Sequence, residues 1–123
     1  MKAIKIILLS LILLGLIFSA VFAKKHLPEE RGKILFTDPK AFGGVKACSE
    51  CHPGGKGVEK AGDKKEFNIM GKTQKSLEEA VNFCIVNASK GKTIDEKSDK
   101  MKDIVAYIKS LKGKMMEKKS PGY

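Results

Sequence analysis

The sequence predicts an all-α fold of three to four short helices. Three observations predict it. Apolar residues recur at helical spacing in two stretches of the second half, each behind a serine suited to a helix N-terminus. A third helical pattern, with a proline and two glutamates at its start, stands near the beginning of the globular part. Nowhere do apolar and polar residues alternate with the period of two that a half-buried strand needs, and no internal repeat is visible.

In chain order, residues 1–23 come first and read as a targeting segment. Lys2 and Lys5 precede an almost unbroken apolar run, Ile6 to Ala23, which ends in Val21-Phe22-Ala23 and meets Lys24-Lys25. That is the layout of a secretory signal peptide cleaved after Ala23. The run also approaches the roughly 18-residue lower limit of a membrane span, so an uncleaved anchor is the alternative. Either reading places the remainder outside the cytoplasm, in a periplasmic or other extracytoplasmic space.

One domain is expected over residues 24–113, with a polar, flexible tail over 114–123. Its first helix runs roughly from Pro28 to Phe36 and stops at Thr37-Asp38-Pro39. A glycine-containing stretch, Phe42-Gly43-Gly44-Val45, leads into a cysteine pair. Residues 53–75 are rich in Gly and Lys without periodicity, a loop whose length points to a functional role such as wrapping a bound group. Ser76 and Glu79 form a capping box. Behind it Leu77, Ala80, Val81, Cys84, Ile85 and Ala88 make one apolar stripe. Ser98 caps a last helix with the stripe Met101, Ile104, Val105, Ile108 and Leu111, and Gly113 stands where a C-terminal glycine belongs.

The chemistry is concentrated in Cys48-Ser49-Glu50-Cys51-His52, a C-x-x-C-H run. Thiols three positions apart can reach the two vinyl groups on one edge of a haem and form thioethers. The next residue, His52, then takes the iron as proximal ligand. Zinc would need four N/S ligands, and only Cys84 and His26 remain, without forming a second pair. A thioredoxin-like pair would need an alternating strand–helix context, and a plain disulfide gives no reason for the histidine. Three cysteines, two of them in one motif, do not make a disulfide framework. With no Trp and few aromatics, a chain of this size buries a modest core. One covalent haem c would supply the missing apolar bulk.

On these residues the chain resembles a class I c-type cytochrome over about residues 29–112. Gly32 and Phe36 resemble the glycine and aromatic of that family's first helix. Val105-Ala106-Tyr107-Ile108 resembles its last helix, whose aromatic packs across the first at the glycine. The resemblance implies a small cytochrome c-like fold wrapped around one covalent haem, with electrons passing through the exposed haem edge.

In most of that family a methionine from the loop before the last helix fills the second face of the iron, but residues 89–97 contain no Met. Three candidates remain for the distal position. Cys84 lies on its helix's buried stripe, and its surroundings resemble a segment of the sulfur-oxidising dihaem cytochromes, thiosulfate dehydrogenases and the haem-bearing Sox subunit among them, where a cysteine ligates the iron. The bland alternative is a small buried hydrophobe. Met70, beside Gly71 in the loop, could swing onto the iron or plug the loop. Met101 sits on the core stripe of the last helix, where packing is the simpler role.

The chain carries 24 Lys+Arg and 14 Asp+Glu. Two of the lysines belong to the leader, so 22 basic against 14 acidic side chains leave residues 24–123 at +8. Such a surface favours acidic redox partner proteins or anionic membranes. Nucleic acid is a poor candidate, given the expected export and the lack of aromatic–basic interleaving. The expected function is a monohaem electron carrier rather than an enzyme, working between periplasmic or cell-surface redox partners. The alternative is a haem subunit in thiosulfate or sulfur-compound oxidation with a Cys84-ligated haem. A gas-binding haem has no particular support.

Overall fold

The computed structural model of the chain describes residues 26–117. The leader and residues 118–123 lie outside them. Helix α1 spans Pro28–Thr37, the single turn α2 Cys48–Cys51, α3 Leu77–Asn87 and α4 Asp99–Glu117. Between α2 and α3 the chain makes two 3-10 turns, Pro53–Gly55 and Ala61–Asp63, and then an antiparallel hairpin of β1, Phe67–Ile69, and β2, Lys72–Gln74. The fold is therefore mainly helical with a small hairpin, not purely α. Three-residue strands are too short to display alternation. Their turn, Met70-Gly71, has positive φ at both residues, 51° and 75°, as a two-residue hairpin loop demands. Methionine stands where asparagine would have announced such a turn.

The caps follow the sequence closely. Ser76 accepts the Glu79 backbone N–H at 3.0 Å, while the Glu79 carboxylate reaches past the cap to the N–H of Lys75 at 2.8 Å. Ser98 accepts from the N–H of Met101 at 3.3 Å. In α1 no cap hydroxyl exists, and Glu30 accepts the N–H of Leu27 instead. Gly113 does not end α4, which runs through it to Glu117. A glycine stops a helix by turning left-handed, and Gly113 is not among the glycines with positive φ. The expected boundary at 113 thus falls inside a helix.

Helices α1 and α4 cross at Gly32, the close approach expected there. A Cβ on Gly32 would sit 2.7 Å from the Asp103 carbonyl carbon and 2.7 Å from Tyr107 Cβ. Phe36 and Tyr107 meet beside it, ring centroids 5.1 Å apart at a 59° tilt, a favourable aromatic geometry. Arg31 closes the crossing with a two-pronged bridge, Nε and Nη2 each 2.7 Å from one oxygen of Asp103. Asp103 is only 7% exposed.

A second crossing joins the loop before α2 to the loop after α3. The N–H of Val45 donates to Ser89 O and that of Lys92 to Phe42 O, both at 2.9 Å. Added Cβ atoms show why glycines stand there: one on Gly91 would lie 2.6 Å from Phe42 O, and one on Gly44 3.1 Å from the Ser89 carbonyl carbon. The Asn82 amide then pins the next loop, donating to Ile94 O and accepting from Ile94 N–H, both at 2.9 Å. The core gathers Phe36, Leu77, Val81, Ile85, Ile104 and Ile108 with their neighbours between α1, α3 and α4. Among the described residues, no helix is long and apolar enough to cross a membrane.

Candidate functional site

The turn α2 is short because the chain leaves it at once. Ala47 opens it, its N–H bonded to Glu50 Oε1 at 2.8 Å, and the His52 N–H closes it on Cys48 O at 2.9 Å. Pro53 and the glycines beyond then send the chain into the first 3-10 turn. Cys48 and Cys51 thus stand one helical turn apart on one side, with His52 directly after them.

Cys48 and His52 open onto a cavity of about 1100 Å³, at or above the upper end of the roughly 300–1,000 Å³ of ligand sites. Its wall is apolar, built by Phe36, Phe67, Leu77, Val81, Ile104 and Ile108. The hairpin forms one side and α3 with α4 form another. Charged residues appear in its lining only on residues 59–66 and at Lys112. There Lys112 Nζ pairs with Asp63 at 2.7 Å.

The His52 ring is already half committed. Its Nδ1 lies 3.0 Å from the backbone carbonyl of Lys56. A carbonyl only accepts, so Nδ1 carries the proton and Nε2 keeps a free lone pair, the arrangement that orients a metal-binding imidazole. Gly57, at φ 89°, comes close beneath the ring, and a Cβ there would be 3.5 Å from Nδ1. The 53–57 loop is thus the support of His52. The sequence offered its glycines as a signal, but not the carbonyl, which carries no residue signature.

Burial pushes the Cys48 thiol up to about 11, and the charge of a Cys84 thiolate adds to the shift. Burial also raises Cys84, with Cys51 adding to it. Burial thus favours the neutral thiol at both Cys48 and Cys84. Cys51 is exposed and does not line the cavity, whereas Cys84 does.

The three distal candidates separate clearly. Cys84 lies in the cavity wall. Met70 is the first turn residue of the hairpin, 72% exposed and outside the lining, because the tight turn points it away from the strands' inner side. Met101 is 1% exposed within the core and borders a separate, smaller crevice beside Val105 and Lys109. Sequence reasoning missed Phe67 and Ile69, which line the cavity from the hairpin.

The arrangement fits a large, flat, mostly apolar group tied at one edge. Among the described residues no three His, Cys, Asp or Glu side chains converge as a bare ion would require. One imidazole with a free Nε2 and adjacent thiols suits a metal carried in by its own macrocycle. No family model, curated protein or solved structure matches this chain.

Proposed function

We propose that this chain is an exported c-type cytochrome with one covalent haem, passing single electrons between redox proteins outside the cytoplasm. The observation that carries the reading is the shared cavity. Cys48 and His52, two members of one C-x-x-C-H run, face an apolar hollow of about 1100 Å³, with the free nitrogen of His52 left available. Cys48 and Cys51 would hold the haem by thioethers and His52 would bind its iron, which supplies one-electron chemistry. The chain's own residues do the rest. Lys56 O fixes the His52 tautomer, and the apolar side chains of the wall would bury much of the haem, two of the levers that set a haem potential.

A second reading rests on Cys84, which lines the same cavity while Met70 and Met101 do not. A thiol raised by burial ionises readily only next to a strong positive charge, and a bound metal ion provides one. Cys84 would then be the distal ligand, with a lower potential than a methionine gives. That chemistry matches a haem subunit acting on sulfur compounds.

The test is the purified, denatured protein. One haem per chain should stay with the polypeptide through acid–organic extraction, and a Cys48→Ala/Cys51→Ala variant should release or lack it. Colourless protein with both thiols free to alkylate refutes the proposal.

A further inference from the structure

We infer that the exported chain holds a Cu(II) ion at its new amino terminus, bound in a square plane by the α-amine of Lys24, the backbone nitrogens of Lys25 and His26, and Nδ1 of His26. The inference goes beyond the haem reading and shares with it only the export step, cleavage after Ala23.

The spacing of the residues raises the idea. The chain has two histidines. His52 belongs to the C-x-x-C-H run, and the other is the third residue after the expected cut, in Lys24-Lys25-His26. A free amine followed two residues later by a histidine offers one metal four nitrogens in succession: amine, amide, amide, imidazole. Consecutive donors close two five-membered chelate rings and one six-membered ring, which holds all four in a plane. Planar nitrogen coordination selects Cu(II), with Ni(II) after it, whereas Zn(II) takes a tetrahedron. Neither position 25 nor position 26 is proline, so each amide has a proton to give up. The metal displaces one proton from each amide, and from the amine and imidazole where these carry one, and all pass to solvent. Two amide anions neutralise a dication, so the completed site adds no net charge beside the two lysine side chains.

The structure leaves the necessary atoms of His26 free. Helix α1 starts at Pro28, so the His26 nitrogen lies outside it, and among the described residues nothing accepts the His26 N–H. The carbonyl of His26 is held instead. Nη1 of Arg31 donates to it, while Nε and Nη2 of the same guanidinium grip Asp103 on α4. The residue is therefore fixed through its oxygen and open at its nitrogen. Its ring is 64% exposed and, among the described residues, is bonded to Glu30 alone, whose Oε2 stands 3.1 Å from Nδ1. Glu30 also accepts the Leu27 N–H at 3.3 Å, which keeps the carboxylate beside residues 26 and 27 when the ring turns Nδ1 to the metal. From there it can take a weak axial position of a tetragonal Cu(II). Three of the four planar ligands are backbone or terminal nitrogens, so no convergence of His, Cys, Asp and Glu side chains marks the site.

The test uses the exported, haem-loaded full chain, with Cu(II) alone as the probe. Mass spectrometry first fixes the amino terminus, and a chain that does not begin at Lys24 overturns the inference whatever its haem content. One Cu(II) per chain should then survive passage over a chelating resin. Electron paramagnetic resonance, at a temperature where ferric haem is broadened away, should show a tetragonal centre with four nitrogens. Lys25→Pro removes one required N–H and leaves His26 and Glu30 in place. It and His26→Ala should each lower Cu(II) affinity by more than the roughly 10–100-fold that loss of a supporting contact alone costs a metal site. Glu30→Gln should keep the ion and its four-nitrogen signal. A wild-type chain that retains no copper, retention by Lys25→Pro or His26→Ala, loss in Glu30→Gln, or displacement by excess Zn(II) would overturn the inference. A chain without haem refutes the earlier reading instead and leaves this test unchanged, because the two sites share no ligand.

Discussion

Substituting Gly32 by Ala sets two effects against each other. Helix propensity alone stabilises an alanine over a glycine by about 1 kcal/mol. The crossing with α4 opposes it. The new Cβ would lie 2.7 Å from both the Asp103 carbonyl carbon and Tyr107 Cβ, against an ordinary contact of 3.4 Å or more. The obstructing atoms are backbone, the Asp103 carbonyl oxygen nearest of all, and the root of a side chain, so no rotamer change relieves them and the helices must part by well over an ångström. Parting them loosens the Phe36–Tyr107 contact and the Arg31–Asp103 bridge together. Overpacking of this kind costs about 3 kcal/mol at the upper end, leaving a net loss of about 2 kcal/mol. For a domain of this size that lowers Tm by roughly 8–16 °C. Gly113→Ala is the matched control. It lies within the same helix pair, and its Cβ would meet nothing within 4 Å. It should raise Tm slightly, by the propensity gain alone. Thermal melts of the haem-loaded protein by circular dichroism decide the matter. If Gly32→Ala and Gly113→Ala shift Tm in the same upward direction, α1 and α4 do not cross at Gly32.

Further consequences can be checked alongside. Cys84→Ser should leave haem content intact and change the native oxidised spectrum; an unchanged spectrum removes Cys84 from the iron and the sulfur-chemistry reading with it. Arg31→Met strands the nearly buried Asp103 carboxylate, so it should lower Tm by more than the double variant Arg31→Met/Asp103→Leu does; a double variant at least as unstable as the single would contradict this. Burial raises the Tyr107 phenol above its ordinary value. Its neutral form is favoured in the folded state, so its contribution is whole below pH 10 and lost as pH rises through the folded-state value. The Tm gap between wild type and Tyr107→Phe should therefore move against the wild type above about pH 10, and a constant gap would show that the phenol is not sheltered.

What was legible in the sequence was local. Ser76 and Ser98 announced their helices, and the stripes from Leu77 and Met101 gave the faces those helices bury, because capping and 3.6-residue periodicity act within one segment. Gly32 and Tyr107 were readable as a pair only through a family resemblance, since two positions so far apart share no local signal. The hairpin stayed hidden because Met70-Gly71 is an unusual turn pair and its strands are three residues long. Gly113 misled because glycine permits a left-handed stop without requiring one. At the site, the C-x-x-C-H run named its own residues, whereas the Lys56 carbonyl and the hairpin wall depend on how a loop of irregular backbone folds back. The sequence put Cys84 ahead of Met70 and Met101 as distal candidate, and of the three the cavity wall contains Cys84 alone.

The clamps that shape the site all lie outside it. Arg31–Asp103 and Gly32 set α1 against α4, the Gly44–Gly91 crossing ties the cysteine turn to the end of α3, and Asn82 fixes the loop that follows. These peripheral contacts act beside the apolar cluster of Phe36, Leu77, Val81, Ile104 and Ile108, which packs the core on one side and lines the cavity on the other. Under the covalent-haem proposal, the occupant would cover this apolar wall and so become part of the hydrophobic core. A group that completes the core must not dissociate, and in this proposal Cys48 in the cavity wall and Cys51, exposed one turn further on, would be the two points that hold it permanently.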